Sequence, residues 1–168
     1  MDLMPYLQPA NEIEAEIANV PSIKNNIIVY RHVPRSVVND PLNSKKIFYQ
    51  EKAFLSTSIT KMSAINAGFE CPKDDIMLKI YVPKGTTCFP CDLLDSEFKR
   101  SYHNKTWNEP YENEFLFKHG LHFALIDQPF YDPEIHKMTY PVFMVNNIKE
   151  VDLNNPLFKL GLMKLNLF

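Results

Sequence analysis

The sequence predicts a strand-rich α+β domain, and three observations carry that prediction. β-Branched and aromatic runs recur along the chain, at residues 27–31, 54–59, 76–82, 114–118, 121–126 and 140–145. Helical signals are concentrated at the start, with one short stretch after Thr60. Pro34, Pro83-Lys84-Gly85 and His119-Gly120 close or separate these runs, as turn residues do between strands.

Taken in order, Asn11 reads as an N-cap, with Ile13, Ile17 and Val20 at helical spacing behind an acidic first turn of Glu12, Glu14 and Glu16. Ile27-Ile28-Val29-Tyr30-Arg31 reads as a buried strand carrying one charge. Residues 34–47 have a loop composition of Pro, Asn, Asp, Ser and Lys. Phe54 to Ile59 resumes an extended pattern, and Thr60 caps a short helix through Ala67. Ile76 to Val82 is a strand, with another expected near Thr86 to Phe89. Asp92 to Tyr111 is long, polar and unpatterned, which a compact domain keeps mainly where a loop has a task. The runs at 114–118, 121–126 and 140–145 read as a meander. Leu157 to Leu165 is apolar without a clean period. There is neither an internal repeat nor a linker, so residues 1–168 are expected to form a single domain.

The composition excludes several classes. Eighteen Lys plus Arg against 20 Asp plus Glu leave a formal charge of -2, which fits neither a broadly basic nucleic-acid binder nor an acidic tail. No run approaches the roughly 20 apolar residues of a membrane span. Met1-Asp2-Leu3-Met4-Pro5 lacks the features of a secretory signal, and a cytoplasmic, monomeric protein is expected. Cys71, Cys88 and Cys91 are odd in number and too few for a disulfide framework. Cys88-Phe89-Pro90-Cys91 has the spacing of half a zinc site, but no second pair completes four ligands, and no metal is expected.

Three features bear chemistry, each with a plainer alternative. Arg31 sits inside an apolar strand, where a guanidinium needs either an ion pair or a bound anion such as phosphate. Ser56-Thr57-Ser58 is either an edge-strand or capping cluster, or a set of hydroxyls that hold a catalytic carboxylate. Glu112-Asn113-Glu114 opens a strand whose alternate residues share a face, so both carboxylates point one way, with Phe115 and Phe117 opposite. The pair is either a solvated strand end or a device for chemistry at a sugar carbon, one acid stabilising an oxocarbenium-like centre and the other moving a proton.

In combination and in order, these elements resemble the Arg-Ser-Glu class of mono-ADP-ribosyltransferases, a family of bacterial toxins, phage enzymes and vertebrate ecto-transferases. The matching motifs are Val29-Tyr30-Arg31, Phe54-Leu55-Ser56-Thr57-Ser58 and Glu112-Asn113-Glu114, supported by Leu78 to Gly85 and Glu114 to Gly120, and the resemblance covers about residues 26 to 127. It implies a split β-sandwich of mainly antiparallel strands with a short N-terminal helical part, and NAD as co-substrate. Arg31 would bind the NAD phosphates or the adjoining ribose. Ser56 would hydrogen-bond the catalytic acid Glu114, and Thr57 and Ser58 would shape the cleft. Glu114 would hold the nicotinamide ribose and stabilise positive charge as nicotinamide leaves.

Glu112 would face the acceptor, and Glu rather than Gln at that place goes with an arginine acceptor in this family. The segment from Asp92 to Tyr111 resembles the loop that recognises the acceptor protein, with Trp107 and Tyr111 as its contacts or, equally, as lids on the core. Residues 66–75 correspond to the phosphate and nicotinamide loop, where Phe69 would stack on nicotinamide and Lys73 would add charge. Only about 30 residues precede Arg31, where many relatives carry a fuller helical lobe, and His32, where a Gly is common, is expected to add bulk beside the phosphate site. His103, His119, His122 and His136 receive no role. Two other readings share the fold: an NAD glycohydrolase, with water in place of the acceptor, and a catalytically silent module that grips a partner through residues 92–111.

Overall fold

The computed structural model describes residues 4–38, 49–66, 75–91 and 114–145. Phe69, Cys71, Lys73, Trp107, Tyr111 and Glu112 lie outside them, as do the whole 92–111 segment and the apolar stretch at 157–165.

The chain begins with helix α1 (Met4–Asn19), followed by β1 (Ile27–Val33), a 3-10 turn (Arg35–Val37), β2 (Tyr49–Glu51), β3 (Leu55–Ser58) and α2 (Lys61–Asn66). Then come β4 (Ile76–Val82), β5 (Phe89–Pro90), β6 (Glu114–Phe117), β7 (Leu121–Leu125), β8 (Phe130–Asp132) and β9 (Lys137–Val145). The expected strand-rich α+β class holds. Helix α1 starts earlier than expected, so Asn11 lies within it rather than at its cap. Pro9 is inside the helix, where it removes one backbone donor, and the apolar stripe reduces to Ile17, which is buried, while Ile13 is exposed. Thr60 does cap α2, its Oγ1 accepting the Ser63 N–H at 3.0 Å. Turns fall at Gly85 and Gly120, whose φ values of +88° and +74° suit glycine.

Strand order is β2-β7-β9-β4-β1-β3-β6-β5, with β8 added beside β9. All described pairings are antiparallel except β4 with β9. The order has a narrow waist. β1 runs against β4 over seven residue pairs, from Ile27↔Val82 to Val33↔Ile76, but meets β3 at one pair, Tyr30↔Ser58. The waist separates a larger part, β2-β7-β9-β4-β1, from a smaller one, β3-β6-β5.

The two parts close on a shared core. Val29, Leu78, Ile80, Phe123, Val142 and Met144 from the larger part pack in one cluster with Leu55 and Phe117 from the smaller. Each such side chain contributes roughly 1.5–3 kcal/mol when fully buried. The apolar run of β4, interrupted by Lys79 alone, is explained by burial on both faces, with Leu78 and Ile80 in this cluster and Met77 and Tyr81 in two others.

The expected meander from 114 to 145 does not form. β7 pairs with β9, but β6 pairs with β3 and β5, so the chain crosses from the smaller part to the larger at His119-Gly120. The physical reason is that Phe117 and Leu121, on either side of that turn, bury into the same core from opposite walls. Among the described residues, no helix is long and apolar enough to cross a membrane.

Candidate functional site

The waist between β1 and β3 brings together side chains far apart in sequence. β3 runs against β6 with Ser56 opposite Leu116 and Ser58 opposite Glu114. Ser56, Ser58 and Glu114 therefore share one face of the sheet, and Ser56 and Glu114 are diagonal neighbours within side-chain reach. Ser56 Oγ donates to Glu114 Oε1 at 2.5 Å, a contact between residues 58 positions apart. Thr57 takes the opposite face, 2% exposed, and its Oγ1 donates to the Phe115 carbonyl at 3.0 Å.

Beyond Tyr30↔Ser58 the ladder between β1 and β3 stops, which leaves the Ser56 carbonyl without a strand partner on that side. Arg31 fills the gap, Nη1 donating to that carbonyl at 3.0 Å. Ser56 thus joins Arg31 through its main chain and Glu114 through its side chain. Nη2 of Arg31 lies 3.2 Å from Glu51 Oε2. That acid comes from the end of β2, four residues before β3 begins at Leu55. Two further groups hold the Glu51 carboxylate, Tyr49 Oη donating to Oε2 at 2.5 Å and the Ala53 N–H to Oε1 at 3.1 Å. Burial, and then the bond to Glu51, push the Tyr49 phenol well above its ordinary pKa, so it stays a donor.

The guanidinium therefore has the ion pair that a cation in an apolar strand requires, and its side chain remains 25% exposed. Two of its five N–H donors are used in the contacts above, and the others are the kind that a phosphate or ribose engages.

His32 does not crowd this site. Strand alternation turns it to the opposite face of β1, where its side chain is buried with Nε2 3.3 Å from Asp75 Oδ2. Burial lowers the His32 pKa, Lys137 lowers it further, and Asp75 opposes both. Cys88 is a free thiol, buried and pushed up to about 11 by that burial, and Cys91 Sγ lies 3.8 Å from the Phe89 carbonyl. Among the described residues, no group of three or more His, Cys, Asp or Glu could hold a metal ion.

Of the site residues expected from sequence, Arg31, Ser56 and Glu114 converge, with Ser58 on the shared face. Phe69, Trp107, Tyr111 and Glu112 are outside the described residues. Sequence reasoning missed Glu51 and Tyr49. The one available signal was the requirement that a strand guanidinium find a carboxylate, which gives no indication of which one.

Residues 5–153 match the family model for the ADP-ribosyltransferase exoenzyme. Among curated protein sequences, none matches the chain. Among solved structures, the ADP-ribosylating toxin BECa of a C. perfringens binary enterotoxin, solved with NADH, is similar with a TM-score of 0.58 and 16% identity. That match covers 86% of this chain and 36% of the toxin, so the chain spans little more than a third of its length. C3stau2 from S. aureus, solved with NAD, has a TM-score of 0.59 and 16% identity over 83% of this chain and 71% of that one. The ADP-ribosyltransferase Vis, from Vibrio splendidus and solved with agmatine, has a TM-score of 0.56 and 16% identity over 90% and 66%.

Proposed function

The chain belongs to the ADP-ribosyltransferase exoenzyme family, and from that premise we propose that it transfers ADP-ribose from NAD to an arginine side chain of a protein acceptor and releases nicotinamide. The observation that carries this reading is the convergence of Arg31, Ser56 and Glu114 at the waist of the sheet. These residues suit NAD as substrate. Arg31 supplies donors for its phosphates or ribose, and Ser56 orients the Glu114 carboxylate.

The reaction breaks the bond between nicotinamide and the ribose anomeric carbon, and positive charge develops on the sugar. A fixed carboxylate stabilises that charge more than it stabilises the neutral sugar, which is the differential binding catalysis needs. The acceptor guanidinium is a poor nucleophile until it loses a proton. In the sequence, Glu112 stands two positions before Glu114 and is proposed to align the guanidinium and take that proton. Agmatine, the ligand of the similar Vis structure, is itself a guanidine, which supports an arginine acceptor. Phe69 is proposed to stack on nicotinamide, Ser58 to frame the cleft, Thr57 to brace it from the opposite face of β3 through its bond to the Phe115 carbonyl, and Trp107 and Tyr111 to contact the acceptor protein.

The test is nicotinamide release and transfer of labelled ADP-ribose to agmatine and to cell-lysate proteins. Glu114→Gln is expected to lower both by about 10²-fold or more, the usual worth of one preorganised electrostatic contact. Glu112→Gln is expected to lose transfer to agmatine while nicotinamide release persists. Equal activity in the wild type and both variants would refute the assigned roles.

A further inference from the structure

We infer that Glu51 is a positioning residue of the dinucleotide site, holding the Arg31 guanidinium in the orientation that receives NAD. The inference deepens the functional reading above and rests on it. Its starting point is an arrangement that local sequence does not require. In strand order, β2 and β1 are separated by β7, β9 and β4. Even so, Glu51 Oε2 lies 3.2 Å from Arg31 Nη2; Glu51 ends β2 four residues before β3 begins at Leu55, and β3 pairs with β1.

The carboxylate is itself fixed. Glu51 is 7% exposed, and both oxygens are engaged, Oε2 by Tyr49 Oη and Oε1 by the Ala53 N–H. The Tyr49 ring is stacked on Phe123, with centroids 5.5 Å apart and planes at 16°. Arg31 is thus held at both terminal nitrogens, by Glu51 at Nη2 and by the Ser56 carbonyl at Nη1. Two such anchors fix the plane and rotation of a side chain that otherwise loses considerable rotamer freedom when a ligand binds.

Electrostatics separates this role from simple charge balance. A carboxylate at 3.2 Å offsets much of the Arg31 charge. If Arg31 attracted the diphosphate only as a cation, removing Glu51's charge would tighten NAD binding. If Glu51 acts by orientation, the same change weakens binding. Glu51→Gln keeps the volume but offers one acceptor oxygen where the carboxylate offers two, so its amide NH₂ faces either the Ala53 donor or the Tyr49 and Arg31 donors.

The experiment measures nicotinamide release against NAD concentration for the wild type, Glu51→Gln, Tyr49→Phe, Arg31→Ala and the double variant Arg31→Ala/Glu51→Gln, with thermal melts of each. Glu51→Gln is expected to raise the KM for NAD roughly tenfold, the worth of one hydrogen bond to a charged group, while kcat changes by less than about threefold. Tyr49→Phe is expected to raise KM by about two- to threefold, with the ring stack intact. If Glu51→Gln melts too low to assay, Tyr49→Phe provides the same readout. The double variant should be no worse than Arg31→Ala alone, because Glu51 acts through Arg31. A KM that is unchanged or lowered in an otherwise active Glu51→Gln overturns the inference and leaves the functional reading standing. So does a loss confined to kcat, or one that adds fully to that of Arg31→Ala. No nicotinamide release by the wild type overturns the functional reading and this inference with it.

Discussion

Ser56→Ala separates two roles that meet in one residue. The substitution deletes the hydroxyl that donates to Glu114 Oε1 at 2.5 Å, a length typical of a hydrogen bond to a charged oxygen. It leaves the main-chain carbonyl that accepts Arg31 Nη1 at 3.0 Å. A bond to a charged group is worth about 1.5–3 kcal/mol. Because Ser56 is exposed, water partly replaces the lost hydroxyl and the lower figure applies. At about 1.4 kcal/mol per decade this corresponds to a roughly tenfold fall in kcat. The KM for NAD should change less than about twofold, since Arg31 keeps both of its anchors. The assay is steady-state nicotinamide release at varied NAD, with a melting curve to establish that the fold is intact. An unchanged kcat, or a loss falling mainly on KM, would refute the division of labour between the side chain and main chain of Ser56.

Two further outcomes concern stability. Thr57→Val removes the buried hydroxyl bonded to the Phe115 carbonyl, joining β3 to β6, and should lower unfolding free energy by about 1–3 kcal/mol in denaturant titration. His32 has a folded-state pKa below its ordinary 6.5, so between the two values the unfolded chain binds more protons and stability rises with pH. Its contribution is complete above pH 6.5 and is lost as pH falls through the folded-state value. Melting temperatures recorded from pH 7.5 down to about 5 should therefore decline, and His32→Gln should flatten that part of the curve.

The sequence carried what is local. Ile27–Val33, Leu55–Ser58 and Ile76–Val82 are strands because β-branched and aromatic residues fit a buried pleated surface, and the Thr60 cap depends only on its own turn. β2 and β8 have three residues each, too few to show a period. Helix α1 was obscured at its start by Pro9, a residue that normally argues against a helix interior. The mistaken meander has a different origin. Adjacent strands usually pair, and nothing in Lys118-His119-Gly120 reveals that the chain there changes walls. At the site, Arg31, Ser56 and Glu114 were legible because unusual residue types stood in strand patterns. Glu51 was not, since one acid on a short strand resembles any other until the fold brings it to Arg31.

The register of β3 against β6 also governs how a lineage of such proteins can diverge. Moving one strand by a single residue would exchange inward and outward side chains, sending Glu114 into the apolar interior and exposing a phenylalanine. Insertions in the connections of the intervening chain carry no comparable penalty, because loop-closure entropy grows only slowly with length. Length can thus drift in the connections between Ser56 and Glu114, yet not within the two four-residue strands that carry them. Solved toxins only 16% identical to this chain over the matched residues have a similar fold.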